Sequence, residues 1–163
     1  MRTLDQQMAA YAAYHRDRRN RLTHFIGVPA IIFAILIPMC WVPIGDGLTL
    51  AHVFLGAVLA YYFLLDVPLA MATTIATCAL YYAAKLAAGT GFASGWIWCG
   101  AFFVGGWILQ LVGHVFEGRR PALADNVFQI FIAPIFLVAE AFFALGMKRE
   151  VREKVEAELN RGA

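Results

Sequence analysis

Five apolar stretches, set apart by short polar or turn-forming breaks, organise the chain: roughly Phe25–Val42, Leu48–Leu65, Leu69–Ala88, Phe92–Phe116 and Val127–Gly146. Each approaches the ~20 residues that carry a helix across a bilayer. Strands of a membrane barrel would alternate apolar and polar residues, and these unbroken runs do not, so the pattern predicts helices. The breaks agree. Pro43, Gly45, Asp46 and Gly47 make a tight turn, and Asp66, Val67 and Pro68 leave room only for an antiparallel hairpin between the second and third stretches. Gly89 to Gly95 forms the following loop. Pro29 and Pro38 predict a first span that is kinked or broken near its start.

The two ends read differently. Residues 1–22 are polar, and the pattern predicts a short interfacial helix with Leu4, Met8, Tyr11 and Tyr14 on one side and the arginines at phosphate depth. From Lys148 to Leu159, Val151, Val155 and Leu159 recur at four-residue spacing, which predicts an amphipathic helix of mixed charge. The expected fold class is all-α: a polytopic helical membrane protein of four to five hydrophobic helices plus amphipathic terminal helices. One membrane-embedded domain over 1–163 is expected, with an interfacial helix at 1–22, a transmembrane bundle at 23–146 and an amphipathic tail at 147–163.

Composition strengthens this reading and narrows the function. The chain is 61% hydrophobic and 15% charged, far from the soluble balance. Its polar start has no apolar core followed by a cleavage site, so the first span is expected to be retained. Cys40, Cys78 and Cys99 are odd in number and embedded in apolar runs, which predicts buried free thiols rather than disulfides or metal ligands. The net charge of +2 is small and the arginines gather at membrane boundaries, so no nucleic-acid partner is expected. The chain has no HExxH, GxSxG, phosphate-binding glycine loop or CxxC. Four histidines cannot supply the larger ligand sets of membrane di-iron desaturases.

Basic residues precede Leu22, recur at Arg119 and Arg120, and follow Met147, so the positive-inside rule puts these groups on the cytoplasmic side. Four crossings between His24 and His114 would bring both to the same face. A full fifth crossing would export the basic tail. Pro134 and Glu140 within Val127–Gly146 suggest a kinked or re-entrant segment packed on the bundle, with an exported tail as the alternative.

Chemistry gathers in two clusters, YHRDRRNRLTH at 14–24 and GHVFEGRRPALADN at 113–126. Gln110, His114 and Glu117 follow each other at helical spacing and share a face; Gly118 and Pro121 then end the helix and fix the turn. Asn20 and His24 share another face. His15 lies nine residues from His24, about half a turn out of phase on a continuous helix. A break around Asp17 to Arg19 would let His15 fold back, and a shared metal would give a reason for it. Three imidazoles suit iron, zinc and copper alike, with Glu117, Asp125, Asn20 and Gln110 as candidates to fix their tautomers. His52, inside an apolar run, reads as a packed or inter-helix hydrogen-bonding residue. Arg119 and Arg120 could bind an anionic substrate group.

The segments YHRDRRNRLTHFIGVP and WILQLVGHVFEGRRPALADN resemble the signature motifs of the fungal and bacterial 2-hydroxy fatty acid dioxygenase family, and the resemblance extends from the amino-terminal helix to Ala133 and Pro134. It implies an Fe(2+)-dependent dioxygenase that removes one carbon from a long-chain 2-hydroxy fatty acid, giving a shorter fatty acid and carbon dioxide. In fungi such substrates arise from phytosphingosine, a sphingolipid product. His15, His24 and His114 match the family's histidines and would ligate iron; Glu117, Asn20, Asp125 and Asn126 match motif positions, with Arg119 and Arg120 beside them. The expected partners are the 2-hydroxy acid, dioxygen and membrane lipid. The expected location is a bacterial inner membrane, or the endoplasmic reticulum in a eukaryote, with the site facing the cytoplasm. The acyl tail would lie among Phe102, Phe103, Trp107, Phe128 and Phe131. Rival readings are a zinc-dependent membrane lipid hydrolase with Glu117 as general base, and a nonenzymatic lipid- or partner-binding protein.

Overall fold

This computed structural model describes residues 3–118, 121 and 128–161. Arg119, Arg120, Asp125 and Asn126 lie outside the described residues. Seven helices are described: α1 (Leu4–Ala12), α2 (Arg18–Cys40), α3 (Leu50–Leu65), α4 (Val67–Gly89), α5 (Phe92–Glu117), α6 (Gln129–Ala144) and α7 (Arg149–Arg161). A small antiparallel hairpin, β1 (Pro43–Gly45) with β2 (Leu48–Thr49), joins α2 to α3. The chain is an all-α, polytopic helical membrane protein, with α2 to α6 hydrophobic and α1 and α7 at its ends.

The centre of the bundle is an antiparallel seam between α2 and α5, and small residues set its closeness. A Cβ built on Gly106 would meet the Gly27 carbonyl at 2.9 Å, and one on Gly27 would meet the Gly106 carbonyl at the same distance. A Cβ on Gly113 would run into Thr23 Oγ1 and Asn20 Oδ1. Asn20 therefore faces Gly113 and Gly27 faces Gly106, the two contacts lying seven positions apart on either helix. This register sets the His24 turn opposite Gln110 and places the start of α2 beside the end of α5. Packing backbones this closely is the usual means of helix association in lipid, where burial of apolar surface gives no advantage.

Around the seam, α4 packs on α2, α3, α5 and α6. Asp66 ends α3 and caps α4, its carboxylate accepting from Leu69 N at 3.0 Å, with Pro68 in the first turn. Tyr62 of α3 donates its hydroxyl to the Phe131 carbonyl of α6. The α6 helix runs along the histidine end of the bundle, because Gln129 shares a cavity with the histidines and Glu140 accepts from Arg21 at 3.1 Å. It meets α7 at 117°. Lys148 bonds Asp66 at 2.6 Å, so the basic tail returns to the side of the amino-terminal arginines, in keeping with a re-entrant rather than a crossing segment.

Several expectations are corrected. Pro29 and Pro38 do not break the first span: α2 is continuous over 23 residues and begins in the polar cluster at Arg18. Each proline removes one intrahelical bond, a loss that neighbouring helices make tolerable in membrane proteins. Residues 1–22 are not one interfacial helix, since α1 stops at Ala12 and α2 starts at Arg18. Leu4, Met8 and Tyr11 are buried against the protein, where α1 packs on α6 and on Val151, Val155 and Leu159 of α7. Among the described residues α2, α4 and α5 are each long and apolar enough to span, and α6 with α7 reaches that length only as a bent pair; α3, at 16 residues, does not. The up-and-down order still returns α5 to the start of α2. The cysteines are free, as expected, but Cys78 is exposed on the outer face and the other two are half-buried.

Candidate metal centre

His15, His24 and His114 converge, each offering a ring nitrogen within 4.8 Å of the others. All three are buried, at 3%, 4% and 6% relative exposure. His24 lies in the second turn of α2 and His114 in the last turn of α5, so the glycine seam brings these two together. His15 comes from the linker between α1 and α2, which doubles back over the end of α5.

The linker folds this way because its backbone groups find partners on α5. After Ala12, Tyr14 N and His15 N close short turns onto the Tyr11 and Ala12 carbonyls, at 3.1 and 3.0 Å. Asp17 then caps α2 by accepting from Arg19 N at 2.7 Å. The Arg19 guanidinium, hydrogen-bonded to Asp17, holds its carboxyl below the usual carboxylate range. The carboxylate of Glu117, at the end of α5, accepts from Arg16 N at 2.9 Å, Asp17 N at 2.8 Å and Asn20 Nδ2 at 3.1 Å. Asn20 Nδ2 also donates to the Tyr14 carbonyl at 3.1 Å. Glu117 and Asn20 thus clamp the segment that presents His15. The Tyr11 ring stacks flat on the imidazole, centroids 4.0 Å apart and 3° from parallel.

Two of the rings have their tautomers fixed by the same device. His15 Nδ1 is 2.7 Å from the Tyr11 carbonyl and His24 Nδ1 is 2.9 Å from the Asn20 carbonyl, each four residues upstream. A carbonyl can only accept, so both Nδ1 atoms carry the proton. Burial pushes the His15 imidazole down to about 3, although the Tyr11 carbonyl favours its charged form. In their neutral forms the two rings aim Nε2 lone pairs at each other across 3.1 Å. Two acceptors in such contact repel, and a divalent ion bound by both Nε2 atoms would relieve that repulsion. His114 Nδ1 is buried with no partner among the described residues. The donor set therefore fits a divalent ion of borderline softness such as iron, zinc or copper.

Beyond the histidines lies a cavity of ≈ 250 Å³ between α2, α3, α5 and α6. Along α2 it runs from His24 to Ile35, 11 residues or about 16 Å of helix. Its walls are almost wholly apolar, with Val28, Ile31, Val58 and Trp107 among them, and its polar groups other than Thr77 gather at the histidine end. Trp107 and Phe131 line it as expected. Phe102, Phe103 and Phe128 do not, being 39%, 40% and 69% exposed on the outer face. A helical stretch rich in aromatics gives little sign of which ring turns inward.

The structure thus gathers His15, His24, His114, Asn20 and Glu117, and leaves His52 away from them. His52 caps α3 through Thr49 N at 2.9 Å and meets the Tyr81 hydroxyl of α4 at 2.9 Å, the inter-helix role its sequence context predicts. Sequence reasoning missed Gln129 and the stacking role of Tyr11. A lone Gln opening an apolar helix was the available signal for the first.

Sequence comparisons relate this chain to known proteins. A family model described as 2-hydroxy-palmitic acid dioxygenase Mpo1-like matches residues 1–145. The 2-hydroxy-palmitic acid dioxygenase MPO1 of Saccharomyces cerevisiae is 33% identical over 167 residues, covering 96% of this chain and 89% of that protein. No solved structure matches. With a match extending from the amino terminus through α6, and so across every element that supplies a histidine, the chain belongs to the Mpo1-like family.

Proposed function

We propose that this protein is an Fe(2+)-dependent dioxygenase that shortens long-chain 2-hydroxy fatty acids by one carbon, releasing carbon dioxide. The observation that carries the proposal is the buried three-imidazole cluster at the polar end of a long apolar cavity. The yeast relative named as a 2-hydroxy-palmitic acid dioxygenase supports the substrate class.

His15, His24 and His114 would hold the ion. Iron(II) would supply the redox partner that spin-forbidden dioxygen chemistry needs and that zinc lacks. The protein's own part is to bind, orient and exclude water. The apolar walls take the acyl chain, and the Tyr11 and Asn20 carbonyls keep two imidazoles in the ligating tautomer. Overall, the bond between the first and second carbons breaks and the first leaves as carbon dioxide. The second is oxidised from alcohol to carboxylic acid with one oxygen of dioxygen, and the other oxygen leaves as water. The substrate supplies every electron that dioxygen takes, so no separate reductant is required. We place the site on the cytoplasmic side, since the arginines before Leu22 and the basic tail share its end of the bundle.

Elemental analysis of detergent-purified protein, followed by oxygen uptake with 2-hydroxyhexadecanoate after anaerobic iron loading, tests the proposal. About one iron per chain with substrate-dependent uptake and carbon dioxide release is expected. Tightly held zinc without uptake would overturn it in favour of a hydrolase. No metal retention even after reconstitution would leave only a lipid-binding role.

A further inference from the structure

The cavity contains two carboxamide side chains that the metal centre does not use. Gln110 of α5 and Gln129 at the start of α6 are 6% and 4% exposed, and both line the cavity. The side-chain oxygen of each is buried with no hydrogen-bond partner among the described residues. Packing alone gives no account of them, because a Leu or Met would fill either place without stranding an amide. A buried polar group without a partner is costly, and a pair facing one cavity points to a ligand that satisfies both.

Their placement says which part of the ligand they meet. Gln110 stands one turn before His114 on the same face of α5. Its Cδ lies 3.5 Å from where a Cβ on Gly27 would be, so its amide fills the space that the missing side chain leaves, three residues beyond His24. The carboxamide therefore sits at histidine depth or just beyond it, where the first carbons of a bound acid enter the apolar chamber. A carboxylate offers only acceptors and can be met by an amide N–H. A stranded amide oxygen needs a donor, and the 2-hydroxyl is the one donor on a 2-hydroxy acid that an unsubstituted acid lacks.

We propose that Gln110 and Gln129 read the head of the substrate, hydrogen-bonding its 2-hydroxyl and carboxylate and so selecting 2-hydroxy acids over unsubstituted fatty acids; this rests on the reading of the cavity as a fatty-acid site. Sites built to hydrogen-bond a substrate hydroxyl reject analogues lacking it, because their own polar groups are then left unpaired.

The test is equilibrium binding of 2-hydroxyhexadecanoate and hexadecanoate to the iron-loaded protein under anaerobic conditions, with metal content measured in parallel. The wild type should prefer the hydroxy acid by about tenfold or more. Gln110→Met combined with Gln129→Leu should lose that preference by weakening the hydroxy acid alone, with iron content unchanged. Gln110→Met by itself, closest in shape, guards against a folding defect and should lose part of it. Preference retained in the double variant, or equal weakening of both acids, would overturn the assignment while leaving the dioxygenase reading intact. A wild type that binds neither acid would overturn both.

Discussion

Replacing Glu117 by Gln separates a clamp from a catalytic base. Its carboxylate takes two backbone N–H groups of the His15 linker, at 2.9 and 2.8 Å, and the Asn20 amide at 3.1 Å. Glutamine keeps one oxygen and turns the other into a donor, so at least one N–H then faces an NH2 group. A hydrogen bond to a charged group contributes about 1.5–3 kcal/mol, and the half-exposed position argues for the lower end, about 1.5–2 kcal/mol. If that loss falls wholly on the state in which His15 is presented to the metal, affinity drops by about 10- to 30-fold. Anaerobic competition between the purified protein and a chromogenic chelator for iron(II) or cobalt(II) measures this. At saturating iron, turnover per bound iron should stay within about twofold of the wild type, whereas loss of a general base costs about 100-fold or more. Unchanged affinity would refute the clamp, and a large loss of turnover per bound iron would restore the base.

Gly113→Ala should weaken metal binding, because its Cβ would overlap Asn20 Oδ1 and Thr23 Oγ1 and force α2 from α5 beside His24 and His114. Overpacking of this kind costs about 1–3 kcal/mol, whereas Gly105→Ala, with nothing within 4 Å, should bind metal normally in the same assay. His114→Ala should abolish metal retention while the protein still inserts in the membrane, and retained metal would remove His114 from the ligand set. His52→Ala should keep full metal content but melt lower, having lost its bonds to Thr49 and Tyr81, worth about 1–2 kcal/mol together.

Periodicity and turn residues predicted the helices well wherever the signal was local: the Asp66–Pro68 hairpin, the Gly118 stop and the Val151–Leu159 stripe are all read directly from neighbouring residues. The convergence of His15 with His24 was legible too, because nine residues on an unbroken helix would hold them apart. The break itself lies earlier than the Asp17–Arg19 expectation, since Asp17 caps the helix that follows and residues 13–17 make the turn. What the sequence could not reveal was long-range. Glu117 reads as a helix-end carboxylate, and only the antiparallel seam discloses that it grips backbone 100 residues away. Likewise Met8 and Tyr11 have the same pattern whether they meet lipid or α6, and the choice depends on where α6 and α7 fold back.

The same clamp bears on the chemistry. A hydrolase at this centre needs a group to take a proton from water once the imidazoles hold an ion. Glu117, the natural candidate, has both oxygens engaged by linker and Asn20 donors. The other polar side chains lining the histidine end of the cavity among the described residues are the Gln110 and Gln129 amides and the Tyr11 and Tyr62 phenols, none of which is a carboxylate. Among the described residues, then, the centre has imidazoles to hold a metal, amides to orient a substrate and apolar walls to exclude water, but no free carboxylate base. Glu117 therefore acts on the position of His15, through the linker it holds, and not on a proton of bound water.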